Sequence, residues 1–78
     1  PNPFNPILSI VYSIPVPQHV LINVYDLSGR LLETLKQEYM AGGQHSIKWN
    51  ASKYPSGIYL VEFRSNEFVN TRKVILMK

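Results

Sequence analysis

The sequence predicts an all-β domain, a small antiparallel β-sandwich of immunoglobulin-like architecture with six to seven strands. Apolar and polar residues alternate with a period of two in several segments, which is typical of half-buried strands. These segments recur at spacings of roughly 8–12 residues with turn-forming residues between them, as in all-β sandwiches. The chain has no cysteine, so the disulfide of true immunoglobulin domains is absent, and we expect Trp49 to be the large core residue between the sheets.

The chain opens with residues 1–6, which hold three of its six prolines. Each proline fixes its own φ and biases the preceding residue toward extended conformations. We therefore expect an extended, linker-like segment at residues 1–6 and a single β-sandwich domain at residues 7–78. A chain that opens in this way, without Met, is expected to be a fragment from the end of a longer protein.

The first two strands are predicted at residues 7–14 and 19–26, where the alternation is regular. The prolines within residues 15–18 end the first strand, because proline cannot donate a hydrogen bond to a sheet. The residues that this alternation assigns to the core are Ile10, Tyr12, Ile22 and Val24.

The second strand leads into a predicted turn from Asp26 to Gly29. Asp at the first position and Gly at the fourth fit a type I turn followed by a left-handed glycine. Residues 30–38 are ambiguous between a strand and a short helix, and their position between hairpins favours a strand. Residues 39–43 are predicted as a loop or bulge, in which Gly42 shapes the backbone.

Three more strands are predicted at residues 44–50, 58–64 and 68–77. Residues 51–57 form a polar loop that ends on Gly57, and Tyr59 follows it at the start of the next strand. The residues that these strands assign to the core are Ile47, Trp49 and Val61.

Composition and spacing argue against an enzyme, a cofactor, a metal site or a nucleic-acid partner. The net charge is +3 and the basic residues are scattered, whereas nucleic-acid binding requires a basic stripe on one face. Ser28, His45 and Asp26 are the types found in a catalytic triad, but their spacing gives no support for one. The loop at residues 50–53 has no carboxylate and contains a lysine, so it does not suit calcium. No small-molecule substrate is expected.

Aromatic residues leave one alternative function open. At strand spacing they are more often packing residues than a row that stacks on sugar rings. Tyr39 and Tyr54, both predicted to lie in loops, are the two aromatic residues that we expect to be exposed, and a coplanar exposed pair there would favour carbohydrate binding.

Several segments, in order, resemble the C-terminal sorting domain of type IX secretion cargo proteins, a family of Bacteroidetes and related bacteria. The family opens near a Pro-Asn-Pro-Phe-Asn-Pro run, matched by residues 1–6. A Val-x-Leu-x-Val-Tyr-Asp-x-x-Gly-Arg strand is matched within residues 20–30. An Ala-Gly-x-His-x-x-x-Trp segment is matched within residues 41–49, with one extra residue before His45. A Ser-Gly-x-Tyr turn and a final basic-apolar strand are matched at residues 56–59 and 73–78.

The resemblance implies a non-catalytic, immunoglobulin-like secretion signal at the end of a larger cargo protein, covalently continuous with the cargo domain on its N-terminal side. The outer-membrane translocon would recognise it in the periplasm. A sortase-like peptidase would remove it in many members, leaving the cargo secreted or attached to the cell surface. In that family the last strand is required for export, which assigns recognition to Lys73, Val74, Ile75, Leu76, Met77 and Lys78. Asp26, Gly29, Gly42, Gly57 and Tyr59 would shape the turns.

Two other functions stay open at this point. One is an immunoglobulin-like accessory or spacer domain of an extracellular enzyme. The other is an immunoglobulin-like domain of the kind found in flagellar hook-capping proteins, which share similar segments. The sequence also differs from the family after Trp49, where Asn50-Ala51-Ser52-Lys53 replaces a common acidic loop.

Overall fold

The computed structural model describes residues 6–66 and 68–77, and within these ranges the chain forms six β-strands and no helix. The strands are β1 (Ile7–Ile14), β2 (Gln18–Asp26), β3 (Leu31–Met40), β4 (Gly43–Asn50), β5 (Gly57–Arg64) and β6 (Val69–Leu76). The prediction of an all-β chain is confirmed. No helix that could cross a membrane occurs in this part of the chain.

The strands form two antiparallel sheets of unequal width. β1 and β4 form a two-stranded sheet, and the other four strands form a sheet in the order β3-β2-β5-β6. β1 pairs with β4 along its full length, from Ile7 opposite Asn50 to Ile14 opposite Gly43. The predicted antiparallel β-sandwich is therefore confirmed, with six strands.

The core lies between the two sheets and draws on both. The aromatic rings that join them are those of Tyr12 and Phe63, 5.4 Å apart, and of Trp49 and Tyr59, 5.6 Å apart. The buried hydrophobic residues are Ile10, Tyr12, Ile14, Val20, Ile22, Val24, Trp49, Ala51, Tyr59, Val61, Phe63 and Leu76. Ile47, which the sequence assigns to the core, is half-buried and packs against this cluster from its edge.

The structure corrects the prediction for one segment and decides between strand and helix for another. β3 continues to Met40, which pairs with Gln18, and β4 begins at Gly43. The predicted loop or bulge at residues 39–43 is therefore too long, because only Ala41 and Gly42 connect the strands. Residues 31–38 of the ambiguous stretch lie in β3, where register shifts opposite β2 break the alternation that would have marked it as a strand.

The turn between β2 and β3 has the expected geometry. Gly29 N–H donates to the Asp26 carbonyl at 3.0 Å, and Gly29 has φ of +88°. One oxygen of the Asp26 carboxylate accepts bonds from the backbone N–H groups of Ser28 and Arg30, at 2.9 and 3.0 Å. It also accepts from the Ser28 hydroxyl, and these bonds hold the pKa of Asp26 below its usual value. Asp26 is thus the residue that closes this turn.

The opening segment is described only at its end. Residues 1–5 of the predicted linker lie outside the described residues. The Pro6 carbonyl accepts a hydrogen bond from the Ala51 N–H at 2.9 Å. Residue 6 is therefore attached to the sandwich beside the end of β4.

Replacing Gly29 by Ala should lower the free energy of unfolding by about 1–2 kcal/mol, because an L residue with a side chain is strained at positive φ. Gly57→Ala is the matched control. A Cβ there meets nothing closer than a Tyr59 ring carbon at 3.9 Å, and its φ is not in the left-handed region. Urea unfolding of both variants measures the difference. Equal loss of stability in the two variants would contradict this account of the turn.

Candidate functional site

The edge of the four-stranded sheet formed by β6 is the candidate interaction site. β6 pairs with β5 alone, from Gly57 opposite Leu76 to Arg64 opposite Val69. Among the described residues, no strand occupies its other side. Such an edge presents unpaired backbone N–H and C=O groups, which are a template for pairing with another strand. β6 is therefore an edge strand of the four-stranded sheet.

The residues of β6 that are predicted to be recognised by the translocon lie on two different faces of the strand. Lys73 and Ile75 point away from the core and are exposed, and Ile75 keeps 61% of its surface accessible. Val74 is half-buried, and Leu76 is buried in the core with 4% exposed. A partner that meets the folded domain can therefore contact Lys73 and Ile75 but not Leu76.

Two further residues of this predicted set lie at the end of the chain. Met77 follows β6 and is 68% exposed. Lys78 lies outside the described residues. Met77 is therefore accessible beside Ile75, and the outward side of this strand is mainly apolar at its end.

The neighbouring outer face of the sheet continues this apolar area. Lys73 lies opposite Leu60 and Ile75 lies opposite Ile58 on β5. Leu60 in turn lies opposite Tyr25 on β2. Leu60, Ile58 and Tyr25 are only half-buried, because no layer covers this face in the described part of the chain. The surface therefore combines an apolar row with one lysine at its side.

The cations of β6 have no acidic partner among the described residues. Arg72 and Lys73 form no salt bridge there, whereas Arg64 is paired with Glu62 at 2.9 Å in the adjacent strand. The Arg72 guanidinium lies 5.1 Å from the centroid of the Phe63 ring, on the core side of the sheet. The strand thus carries uncompensated positive charge on both faces, which favours an acidic partner.

A second polar cluster surrounds Trp49 on the opposite side of the sandwich. One carboxylate oxygen of Glu33 accepts hydrogen bonds from the Trp49 indole N–H at 3.1 Å and from the Tyr54 hydroxyl at 2.7 Å. Trp49 is completely buried, so its N–H requires such a partner. The sequence analysis did not identify Glu33, because it lies in the stretch whose alternation is broken. The one available signal was that a buried tryptophan requires a hydrogen-bond acceptor, which a carboxylate can supply.

The expectation that Tyr54 is exposed is wrong. It is half-buried, and its ring lies 5.7 Å from that of Trp49 and 6.0 Å from that of Tyr59. Tyr39 is 60% exposed as expected, but it lies on β3 rather than in a loop and contacts the His19 ring at 5.1 Å. The pair of exposed tyrosines that would favour carbohydrate binding is therefore not formed.

The glycines and the tyrosine predicted to shape turns have different local roles. A Cβ on Gly42 would lie 3.4 Å from the Ile14 carbonyl oxygen, so the chain passes close to β1 there. A Cβ on Gly57 would make only an ordinary contact with Tyr59, and its φ is not left-handed, so nothing in the structure requires a glycine at that position. The Tyr59 hydroxyl donates to the Pro55 carbonyl at 2.6 Å and fixes the loop before β5.

The residue types of a catalytic triad do not converge. Asp26 and Ser28 bond to each other inside the turn, while a ring nitrogen of His45 lies 2.7 Å from the Ala41 carbonyl. The His45 ring stacks on Tyr12 with centroids 5.7 Å apart. In the described ranges no group of three or more His, Cys, Asp or Glu residues could hold a metal ion.

Comparison with known proteins gives one match. A model of the family described as "Secretion system C-terminal sorting domain" matches residues 1–77. No curated protein and no solved structure matches the chain.

Raising the pH should destabilise the domain through Tyr54. Burial, and then the hydrogen bond to Glu33, raise the pKa of Tyr54 to about 12 from its ordinary value of 10.0. A raised tyrosine pKa stabilises the fold fully below the unfolded value, and this contribution is lost as the pH rises through the folded value. Stability should therefore fall between pH 10.0 and about 12.

The measurement is urea unfolding at several alkaline pH values, with Tyr54→Phe as the control. The variant lacks the titrating hydroxyl, so its stability should decline less steeply over this range. Tyrosinate absorbance should show one fewer late-titrating group in the folded variant. Identical pH slopes for the two proteins would contradict the raised pKa of Tyr54.

Proposed function

The chain belongs to the family of secretion system C-terminal sorting domains, and we propose that it directs a larger cargo protein through the outer-membrane type IX secretion translocon. The family match over residues 1–77 is the observation on which this proposal rests. Membership makes the domain a sorting signal for type IX secretion, so the protein that contains it is exported and is secreted or held on the cell surface.

We further propose that the translocon recognises one particular surface of the domain. We assign translocon recognition to the exposed side of β6, with Lys73 and Ile75 as contact residues, together with Met77 and with Lys78, which follows it in the sequence. Three features support this: β6 is a sheet edge, Ile75 and Met77 are exposed, and Lys73 has no acidic partner in the described part of the chain. Strand addition gives affinity through backbone bonds, while the alternate side chains give specificity.

Val74 and Leu76 have a different part in this proposal. They face the core, and Leu76 is buried there. They hold β6 against the sandwich, so that the outward side of the strand is presented in a fixed geometry. Their effect on export would be through the fold, not through contact with the translocon.

The later steps belong to the same proposal. After export, a sortase-like peptidase would remove the domain and link the cargo to a surface lipopolysaccharide. The domain would have no catalytic role in these steps, and no cofactor is required. Pro6, which is bonded beside the end of β4, is the described residue nearest in sequence to the expected connection with the cargo, and a peptidase would act on that connection.

The function is tested by fusing residues 1–78 to the C-terminus of a fluorescent reporter that bears an export signal to the periplasm. The fusion is expressed in a bacterium with a type IX system and in a strain that lacks the translocon. We expect reporter at the surface or in the medium of the first strain only. A folded fusion that stays in the periplasm of both strains would overturn the proposed function.

Reversing the charge of Lys73 should reduce export of this fusion without unfolding the domain. Lys48→Glu is the matched control: Lys48 is also an exposed strand lysine without a salt bridge among the described residues, but it lies on the other sheet, opposite Ser9. We expect about a tenfold loss for Lys73→Glu, in line with a lost charge-assisted contact, and a complete block for Lys73→Glu with Lys78→Glu. Export of the double variant at the normal level would show that these lysines are not read.

A further inference from the structure

The two sheets leave the inner side of β6 uncovered. Leu76 on this side is buried, whereas Arg72 and Asn70, which share its face, are exposed. The cause is the unequal width of the sheets, since two strands cannot cover four. In the two-stranded sheet, the position next to β1 that would face the inner side of β6 is not occupied by any strand of the described ranges.

The edge of β1 that borders this position is unusually open to pairing. β1 pairs with β4 alone, and its sequence, ILSIVYSI, contains no charge, proline or glycine. Natural edge strands usually carry charges, proline or bulges that prevent pairing. The register between β1 and β4 is also continuous, with no bulge. Residues 8–14 therefore present a regular, neutral edge.

Two cavities follow one another along the gap between β1 and β6. One has a volume of about 170 Å³ and is lined by Leu8 and Ile10 of β1 and by Val74 of β6. The other, of about 90 Å³, is lined by Tyr12 of β1 and by other residues at the far end of β6. Arg72 lines both cavities. They form one trough, which we define as the space between residues 8–14 and the inner side of β6, with Arg72 at its middle.

The chemistry of the trough is apolar at its sides and cationic at its centre. The Arg72 guanidinium rests over the Phe63 ring at 5.1 Å and has no carboxylate within 4.0 Å among the described residues. Leu8 and Val74 are half-buried at one end. A carboxylate next to Arg72 would gain a charge-assisted hydrogen bond, and apolar side chains placed two residues away would cover the ends.

We propose that this trough is an acceptor site for one extended segment of a partner protein, which pairs with β1 as a third strand. The segment places an Asp or Glu side chain against Arg72 and apolar side chains toward Val74 and Tyr12. The site uses the edge of β1, not the outward side of β6, so it does not depend on the recognition proposed above.

Charge favours a partner segment over a second copy of this chain. Two copies joined through β1 would be related by a two-fold axis beside their β6 strands. That arrangement brings the two Arg72 side chains toward each other and supplies no carboxylate to either. An acidic partner strand satisfies the arginine, whereas a second copy leaves like charges close together.

Hydrogen exchange of the 78-residue chain with synthetic peptides tests the proposal. The probe is an eight-residue peptide, as long as β1, of alternating Thr and Val with one inward Val replaced by Glu. The first control has Lys in place of Glu, and the second has Pro in place of two Thr residues. We expect the Glu peptide to slow exchange of the β1 amides, and both controls to protect them much less.

Charge exchange makes the test specific for the trough. Arg72→Glu should weaken binding of the Glu peptide at least on the order of tenfold and should make the Lys peptide the better ligand. Arg72 is exposed, so the variant should remain folded, and Lys48→Glu provides a variant with the same change in net charge on the other sheet.

Three results would overturn the proposal. The first is equal protection of β1 by the Glu and Lys peptides. The second is no protection of β1 by either, with the domain folded by circular dichroism. The third is self-association of the chain alone that protects β1 as its concentration rises, which would make a second copy the occupant.

Discussion

Two strands on one side of the core face four on the other, and this inequality decides which residues the domain can bury. The narrow sheet covers the central strands β2 and β5 of the wider sheet. Their residues Ile22, Val24 and Val61 have no accessible surface. The outer strands of the wider sheet are covered on their inner side only in part. Arg72 is exposed there, although it shares a face with the buried Leu76. The core and the uncovered trough are thus two consequences of the same division of strands.

A core of this size requires one large residue that reaches several elements. A chain of 78 residues buries a smaller share of its surface than a larger domain, and it has no disulfide to compensate. Trp49 meets this requirement from the narrow sheet. Its ring contacts Tyr59 on β5 and Tyr54 in the preceding loop, and its N–H donates to Glu33 on β3. One side chain therefore joins both sheets and a loop, and Glu33 satisfies its polar group.

Much of the fold could be predicted because β1 and β5 keep a regular alternation and β2 keeps it over part of its length. The prediction failed where a local signal was overridden by pairing between distant residues. In β3 the register shifts opposite β2 break the alternation, so its leucines do not show which side faces the core. Met40 belongs to a strand because it pairs with Gln18, more than twenty residues away. The exposure of Tyr54 was predicted wrongly for a similar reason, since its partner Glu33 lies in another element.

The edge strands β3, β6 and β1 differ in how they oppose unwanted pairing and in whether they leave room for a partner strand. The edge strand β3 carries Lys36 and Glu38 and the irregular register, both of which oppose pairing with another sheet. β6 carries Arg72 and Lys73, which admit an acidic strand and oppose a second β6. β1 has no charge at all, yet Arg72 lies beside the space next to it. The residue that selects a partner for the neutral edge of β1 is therefore Arg72, which lies on the facing sheet. This selection requires the shared core to hold the two sheets in a fixed relative position.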